Sequence, residues 1–270
     1  MAPKQKRLNS DLGFDFKSNN MKRTVSLILI IWLCFSCDNE NAPDCFKSAG
    51  SIVKREVSIP SFSRILVNEG IELIIKQGAD YRVEIESGKN LINEIDAKVV
   101  NERLILSNNT KCNLFRSYGN TVAYVTVPQL TEIRSSTQFD IRSDGVLDFE
   151  RLTIISEDYQ ETSAQSVGDF YLNLRCESFR LVFNNLSNAF IEGNITEASV
   201  EFESGNGRFE GENLIIDRVN VFHRGTNDMI LNVANSLQGD IFSTGNVISV
   251  TRPPEVAVTE HYRGKLIFRD

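Results

Sequence analysis

FNNLSN at residues 183–188 returns three times along the chain, as FESGNG (202–207), FHRGTN (222–227) and FSTGNV (242–247). The phenylalanines that open these segments are spaced 19, 20 and 20 positions apart, and Gly205, Gly225 and Gly245 keep the same interval. A fixed period of about 20 residues is typical of repeat architectures, in which each unit buries its apolar face only against its neighbours. The second half of the chain is therefore predicted to be a stack of structural repeats.

Each repeat holds enough apolar patches for three short strands. One patch follows the phenylalanine segment, as at 229–231, and another comes later in the unit, as at 214–216. Glycine and asparagine at the intervening turns tolerate positive φ. Three strands and three turns in about 20 residues predict a three-sided parallel β-helix. An antiparallel β-sandwich with similar spacing is the alternative, and it is less favoured because hairpin turns such as Asn-Gly do not alternate along the repeats.

The rest of the chain from Ser51 onward also alternates apolar and polar residues. Examples are VSIPSFSRILV (57–67), IELIIKQG (71–78) and VAYVTVPQL (122–130). Alternation with a period of two is the pattern of half-buried strands, so the whole domain 51–270 is predicted to be all-β. The one helical candidate, NLINEIDAKVV (90–100), is short and rich in β-branched residues, and is interpreted as strand or turn.

The inward or outward direction of His223 depends on the register between repeats. Aligning the repeats on their phenylalanines puts Phe222 inside and His223 outside, which is the favoured prediction. Aligning them on alternation instead matches Phe202 to His223 and turns His223 inward. A slip of one residue reverses every side chain of a strand.

Composition excludes several classes of function. The net charge of −7 and the pI near 5.1 argue against binding nucleic acid through a basic face. Two histidines are too few for a histidine-rich metal site, and no motif of a serine hydrolase, a phosphate-binding loop or a zinc protease occurs. The sequence therefore predicts no cofactor.

The N-terminal segment is predicted to direct export. Residues 21–36 combine Met21-Lys22-Arg23 with an apolar run that is shorter than the roughly 20 residues a membrane span needs, so they are interpreted as a signal peptide. Residues 1–20 are then an upstream extension. Ser36-Cys37 resembles a lipoprotein lipobox, although Cys34 stands where leucine is preferred. If Cys37 is lipidated, the mature protein is an outer-membrane lipoprotein that faces the periplasm or the cell surface, with residues 37–50 as its linker. Cleavage by the ordinary signal peptidase, without lipidation, is the alternative.

Three cysteines remain in the mature chain. Cys45 and Cys112 lie in polar, loop-like stretches and are predicted to form a disulfide, because export places the protein in an oxidising compartment. Cys176 lies in a strand-like segment, LNLRCESFRL (172–181), and is predicted to be a buried or half-buried thiol.

Acidic residues suggest two further sites. The segment SEDYQETSAQSVGD (156–169) predicts a longer coil than its neighbours, and it concentrates Glu157, Asp158, Tyr159 and Glu161. An aromatic ring beside carboxylates is typical of a carbohydrate subsite, and these four residues are candidate ligand-binding or metal-binding groups. Separately, one acidic residue recurs in each period, at Glu157, Glu177, Glu197 and Asp217. If these residues stack on one edge, they could form a Ca²⁺-binding ladder. The alternative is a solvated polar corner, in which coils one position shorter or longer interrupt the ladder.

The first strands resemble a known family. FSRILVNEGIELIIKQG (62–78), YRVEIESGKNLINEI (81–95) and RLILSNN (103–109) are similar to the opening of the auto-transporter adhesin head, or GIN, domain of bacterial envelope proteins. The resemblance extends over about residues 37–270, but its motifs, an F-x-x-I-x-V strand and a QG turn, are structural. It implies a right-handed parallel β-helix, location in the envelope and no established catalysis.

Three functions follow from these expectations. The favoured one is a lipid-anchored envelope protein whose non-catalytic β-helix binds a glycan or an envelope protein. The second is a polysaccharide-active enzyme with an acidic groove near 156–161, since parallel β-helices host such enzymes and carboxylates are available for acid–base chemistry. The third is a passive envelope scaffold. Function here rests on analogy at the level of the fold.

Overall fold

The computed structural model describes residues 48–110, 121–156 and 166–269. Within these ranges the chain forms sixteen strands and one 3-10 helix, Ile92–Glu94, which agrees with the all-β prediction. The strands are β1 (Ile52–Val57), β2 (Arg64–Val67), β3 (Glu72–Gln77), β4 (Arg82–Gly88), β5 (Ile95–Val100), β6 (Arg103–Asn108), β7 (Val122–Val127), β8 (Glu132–Ser135), β9 (Ile141–Ser156), β10 (Phe170–Phe183), β11 (Asn188–Phe202), β12 (Arg208–His223), β13 (Met229–Ile241), β14 (Val247–Ser249), β15 (Glu255–Glu260) and β16 (Leu266–Phe268). In the segment 90–100, which was predicted to be strand or turn, Ile95–Val100 is strand and the short 3-10 helix Ile92–Glu94 precedes it.

The second half of the molecule is a parallel stack in chain order, from β9 to β16. Residues that pair across successive layers lie 29, 19, 20, 20, 18 and 19 positions apart: Ile141, Phe170, Ala189, Phe209, Met229, Val247 and Leu266. The period near 20 is therefore confirmed, and the longest interval contains the segment 156–169 that was predicted to be extended. The antiparallel-sandwich alternative is wrong for this half, because all of its strand pairs are parallel. The arrangement is consistent with a β-helix-like fold.

The core runs along the inside of this stack. Phe170, Ala189, Phe209, Met229 and Val247 occupy equivalent places in successive layers and are inaccessible to solvent. Each large apolar side chain buried in this way contributes about 1.5–3 kcal/mol relative to exposure. A parallel row of large side chains follows the ends of the long strands, and in it the rings of Phe183 and Phe202 stack with centroids 5.8 Å apart.

His223 belongs to that row, so the prediction that Phe222 points inward and His223 outward is wrong. Phe202 pairs with His223, 21 positions later, whereas Phe183 pairs with Phe202, 19 positions later. An extra residue enters β12 between Glu210 and Leu214, where the register with β11 shifts. His223 is fully buried with its ring edge-on to Phe202, and Phe222 lies on the outer face.

A polar ladder holds one corner of the stack together. Its members precede the first inward-facing residue of each layer. Hydrogen bonds join Asp140 to Asp169, Asp169 to Asn188, Asp228 to Asn246 and Asn246 to Lys265, and an ion pair joins Arg208 to Asp228. For example, Asn188 donates its backbone N–H and its side-chain amide to Asp169 Oδ1, at 2.9 and 3.0 Å. The ladder satisfies polar groups that would otherwise be left unpaired at the bend.

The N-terminal part is assembled differently. Strand β1 pairs antiparallel with β4, β4 with β7, and β5 with β6. The layer made by β2 and β3 lies between β6 and β7 on one side and β8 and β9 on the other, so its spatial position differs from its place in the sequence. These antiparallel strands flank the end of the parallel stack that is distant from β16.

Candidate binding surface

Most of the predicted site residues lie outside the described part of the chain. These are the lipidation candidate Cys37, the disulfide pair Cys45 and Cys112, and the acid–aromatic group Glu157, Asp158, Tyr159 and Glu161. Cys176 is described, and it is a buried free thiol, as predicted. Burial raises the pKa of the Cys176 thiol to about 11, which keeps it protonated and weakly nucleophilic at neutral pH.

The acidic ladder predicted from the regular spacing is not formed by its described members. Glu197 pairs in register with Ser178, 19 positions before it, and with Arg218, 21 positions after it. Its carboxylate lies 2.8 Å from the Arg218 guanidinium instead of above another acid. The three carboxylates Glu177, Glu197 and Asp217 therefore do not form a cation ladder, and the described residues contain no cluster of three or more metal-binding side chains.

The structure instead presents an open groove with an aromatic wall on the outer face of β10 to β12. We call it the aromatic groove; it has a volume of about 430 Å³ and is lined by Ser143, Gly145, Tyr171, Leu172, Asn173, Phe190, Ile191, Glu192, Glu210, Glu212 and Asn213. Tyr171 and Phe190 are adjacent in the parallel register, on the face opposite the core. Their rings are nearly parallel, with an angle of 4° between the planes and centroids 4.8 Å apart.

Arg142 supports this aromatic wall from the neighbouring layer. Its guanidinium carbon lies 4.2 Å from the centre of the Tyr171 ring, and Glu72 and Asp140 hold the same guanidinium. Burial first, and then the negative charges of Asp169 and Asp140, raise the pKa of Tyr171. Its hydroxyl is a hydrogen-bond donor at neutral pH, as that of an ordinary tyrosine is. One side of the ring pair is thus covered by Arg142, and Phe190, which is 36 % exposed, borders the groove on the other.

Amide and carboxylate groups form most of the polar lining of the groove. Asn173 donates from Nδ2 to Glu192 Oε1 at 2.7 Å, and its backbone N–H donates to Ser143 Oγ at 2.9 Å. Glu210 is held by Arg208, which also lies 3.6 Å from Asp228 in the polar ladder. These contacts fix the directions of acceptors that face solvent, and such preorganised polar groups beside an aromatic wall are typical of small-molecule pockets.

Bends in the strands create the concave shape. The parallel register is interrupted between Tyr171 and Asn173, between Phe190 and Gly193, and between Gly211 and Ile215. At Gly193, φ is +116°, and a Cβ atom would lie 2.0 Å from the carbonyl oxygen of Leu174. Glycine is required there by both conformation and space.

Sequence reasoning missed this groove. The predicted site was an aromatic residue beside acids within one segment of the chain. In the structure, Tyr171 and Phe190 come from two successive layers, and the acids Glu210 and Glu212 come from a third. The available signal was an aromatic residue at the same outward position of two successive repeats, because residues one period apart become neighbours in a parallel stack.

Within the described ranges, no helix has the length and apolar character needed to cross a membrane. The outer surface of the stack carries many exposed ion pairs, such as Arg175 with Asp148 at 2.9 Å. Isolated exposed pairs of this kind contribute little stability.

Comparison with known proteins gives one family and several structures. The family model described as "Putative auto-transporter adhesin, head GIN domain" matches residues 61–253. A crystal structure of a "putative adhesin" from Bacteroides fragilis aligns with a TM-score of 0.73 and 18% identity, over 82% of this chain and 99% of that chain. A "putative adhesin" from Parabacteroides distasonis aligns with a TM-score of 0.61 and 14% identity, over 82% and 98% of the two chains.

A third structure, titled "Putative lipid binding protein" and also from Parabacteroides distasonis, aligns with a TM-score of 0.58 and 12% identity, over 81% of this chain and 97% of that chain. At these identities the likeness establishes a shared fold. The curated proteins contain no match to this sequence.

Proposed function

Since the chain belongs to the "Putative auto-transporter adhesin, head GIN domain" family, we propose that it is an adhesin-like, non-catalytic binding protein of the bacterial envelope. Its ligand is a glycan, held in the aromatic groove. The family assignment, together with two structural neighbours each described as a "putative adhesin", supports an envelope role. This proposal includes the finer form of the fold, a right-handed and three-sided β-helix.

The observation that carries the proposal is the exposed aromatic wall of Tyr171 and Phe190. A sugar ring has an apolar face that packs on aromatic side chains, and its hydroxyls bond to amide and carboxylate groups. Phe190 is exposed on β11, which pairs with β10 on one side and β12 on the other, and the acceptors of Glu192 and Glu210 are held beside it by Asn173 and Arg208. A rigid site reduces the ordering cost that binding imposes.

The proposed anchor is a lipid on Cys37, after removal of the signal peptide 21–36, with 37–50 as linker and the outer membrane as location. The first residue of β1 is Ile52, so a linker of this length would separate the head from the membrane. Incorporation of labelled palmitate tests the anchor, with Cys37→Ala as the variant that should lose the label. Label retained by that variant would contradict lipidation at Cys37.

Ligand binding is tested on a glycan array with the purified domain 51–270. The double variant Tyr171→Ser/Phe190→Ser should lose about tenfold or more in affinity for the glycan that the wild type binds, because truncation of aromatic anchors typically costs more than about 1 kcal/mol. Phe242→Ser is the matched control, since Phe242 is 39 % exposed on another part of the surface. An equal loss in both variants would contradict a specific groove.

The enzymatic alternative is separated from binding by looking for products. Release of shorter or unsaturated fragments from the bound polysaccharide, abolished in the triple variant Glu157→Ala/Asp158→Ala/Glu161→Ala, would favour an enzyme. Binding without fragments favours an adhesin-like protein. An envelope protein as ligand would appear as capture of that protein with no glycan bound, and a passive scaffold would bind neither.

A further inference from the structure

A second groove lies beside the aromatic groove on the same strands. It has a volume of about 670 Å³, and its lining includes Asp148, Arg175, Glu177, Thr196, Ile215 and Asp217. Ile215 is 51 % exposed, whereas the other large apolar side chains of this lining, Phe149 and Ile195, are buried. We call this the aliphatic groove.

The two grooves are consecutive parts of one surface. On β10 the outward residues Tyr171 and Asn173 line the aromatic groove, and Arg175 and Glu177 line the aliphatic groove. Strand β11 repeats this division, with Phe190 and Glu192 in the aromatic groove and Asn194 and Thr196 in the aliphatic groove. In β12, Glu210 and Glu212 line the aromatic groove, and Ile215 and Asp217 line the aliphatic groove. At roughly 3.3 Å per residue, Tyr171 and Arg175 are at most about 13 Å apart along the strand. A chain molecule lying along the strands would therefore contact both grooves.

The charges of this surface restrict what can lie on it. Glu192, Glu210 and Glu212 line the aromatic groove, and Asp148, Glu150, Glu177 and Asp217 line the aliphatic groove. Among the described lining residues the one cation is Arg175, and its guanidinium already lies 2.9 Å from Asp148. Arginines outside the lining pair with Glu150, Glu210 and Asp217, whereas the described part of the chain places no salt-bridge partner beside Glu177, Glu192 or Glu212. The lining therefore keeps a net negative charge, which disfavours an acidic polymer.

We infer that the two grooves form a continuous binding path for a glycan chain that lacks acidic groups, with a first subsite at Tyr171 and Phe190 and a further subsite at Ile215. This inference rests on the proposed glycan-binding function and extends it to chain length and charge. Neutral and amino-bearing chains both satisfy the chemistry, because carboxylates accept hydrogen bonds from hydroxyl and from ammonium groups.

The test measures affinity by calorimetry for a disaccharide and a hexasaccharide from three series: chitin oligomers, which are neutral; chitosan oligomers, which carry amino groups; and oligogalacturonides, which are acidic. The neutral or the amino-bearing hexasaccharide should bind at least about tenfold more tightly than its disaccharide. Oligogalacturonides should not bind. Ile215→Ser should remove the gain with length and leave disaccharide binding unchanged, and Val256→Ser, exposed to 43 % on β15, is the control.

The outcomes separate this inference from the function on which it rests. Affinity that is independent of length, an Ile215→Ser variant that behaves as the wild type, or acidic oligomers that bind as tightly as the others would each overturn the extended path while leaving the aromatic groove intact. Failure of all three series, disaccharides included, would overturn the inference together with these glycans as ligands of the aromatic groove.

Discussion

The two halves of this molecule share one hydrophobic core, but their strands pair with different partners along the chain. In the stack from β10 to β16, each layer packs on the layers that precede and follow it in sequence, with paired residues 17 to 21 positions apart. In the N-terminal part, Leu73 pairs with Ile141, 68 positions later, and three strand pairs are antiparallel. Local pairing makes a repeat visible in the sequence, whereas non-local pairing hides it.

The difference also affects where a perturbation spreads. A layer of a stack contacts only its neighbours, so a defect there stays local. The strands β2 and β3 pair with segments that come much later in the chain, and a defect in them should loosen residues that are distant in sequence.

The largest expected effect comes from emptying the core in each half. Phe202→Ala should lower the free energy of unfolding by about 3–5 kcal/mol, and Leu73→Ala by about 2–5 kcal/mol, because both side chains are buried and leave cavities. Urea unfolding measures the loss of stability in each variant. Hydrogen exchange shows which parts of the molecule are loosened: Phe202→Ala should increase exchange in β10 to β12, and Leu73→Ala should increase it in β7 and β9. Identical exchange patterns in the two variants would contradict the contrast between the halves.

A second prediction concerns the glycine that bends the stack beneath the aromatic groove. Gly193→Ala should cost about 2–3 kcal/mol, since it places a Cβ against the Leu174 carbonyl at positive φ. Gly145→Ala is the control: its φ is also positive, at +87°, but the added Cβ would contact nothing within 4 Å, so the cost should be about 1 kcal/mol. Equal unfolding midpoints for the two variants would show that the close approach at Gly193 is relieved by movement of the backbone.

The third prediction is a pH dependence confined to the stack, because both histidines of the chain, His223 and His261, lie there. Burial lowers the pKa of His223, and the backbone of Asn227 and then the charge of Asp228 partly oppose this effect. The unfolded chain therefore binds a proton at higher pH than the folded chain. The contribution of neutral, buried His223 to the free energy of unfolding should be fully present above about pH 6.5. It should decrease as the pH drops below that value, by at most about 1.4 kcal/mol per pH unit.

Chemical unfolding between pH 5 and 8 checks this prediction. His223→Leu should flatten the dependence in this range, whereas His261→Asn, which removes an exposed histidine 2.7 Å from Asp240, should keep it. A slope that survives in His223→Leu would assign the effect to other groups.

The smallest expected effect comes from ion pairs. Although burial alone raises the pKa of Glu201, hydrogen bonds from Arg180 and Ser199 outweigh it and lower that pKa. Glu201→Gln should therefore reduce stability by up to about 1 kcal/mol, a contribution present above about pH 4.3 and lost as the pH falls through the lower folded value. Glu84→Gln, at the exposed pair with Lys54 in the N-terminal part, should have a smaller effect. A larger loss of stability in Glu84→Gln than in Glu201→Gln would contradict the expectation that the ion pair in the stack contributes more than the one in the N-terminal part.

The candidate site was less predictable from sequence than the fold. The exposed residues that line the grooves come from successive layers and become neighbours in the parallel stack, and register shifts in β10, β11 and β12 bend these strands at equivalent places. The irregularities that cause these bends, such as the one between Phe190 and Gly193, insert residues that no periodic pattern announces. The predicted acid–aromatic segment at 157–161 relied on residues adjacent in sequence, and it remains a prediction.

Alternation and spacing along the chain were enough to predict the all-β class, the period near 20 and the longer layer at 156–169. These features are properties of the chain alone. The side of each strand that faces the core, in contrast, depends on how the layers pack in three dimensions. Layers one position shorter or longer than the mean period shift the register, and in a strand one position exchanges inside for outside. That single residue is why His223 lies in the core and Phe222 on the surface.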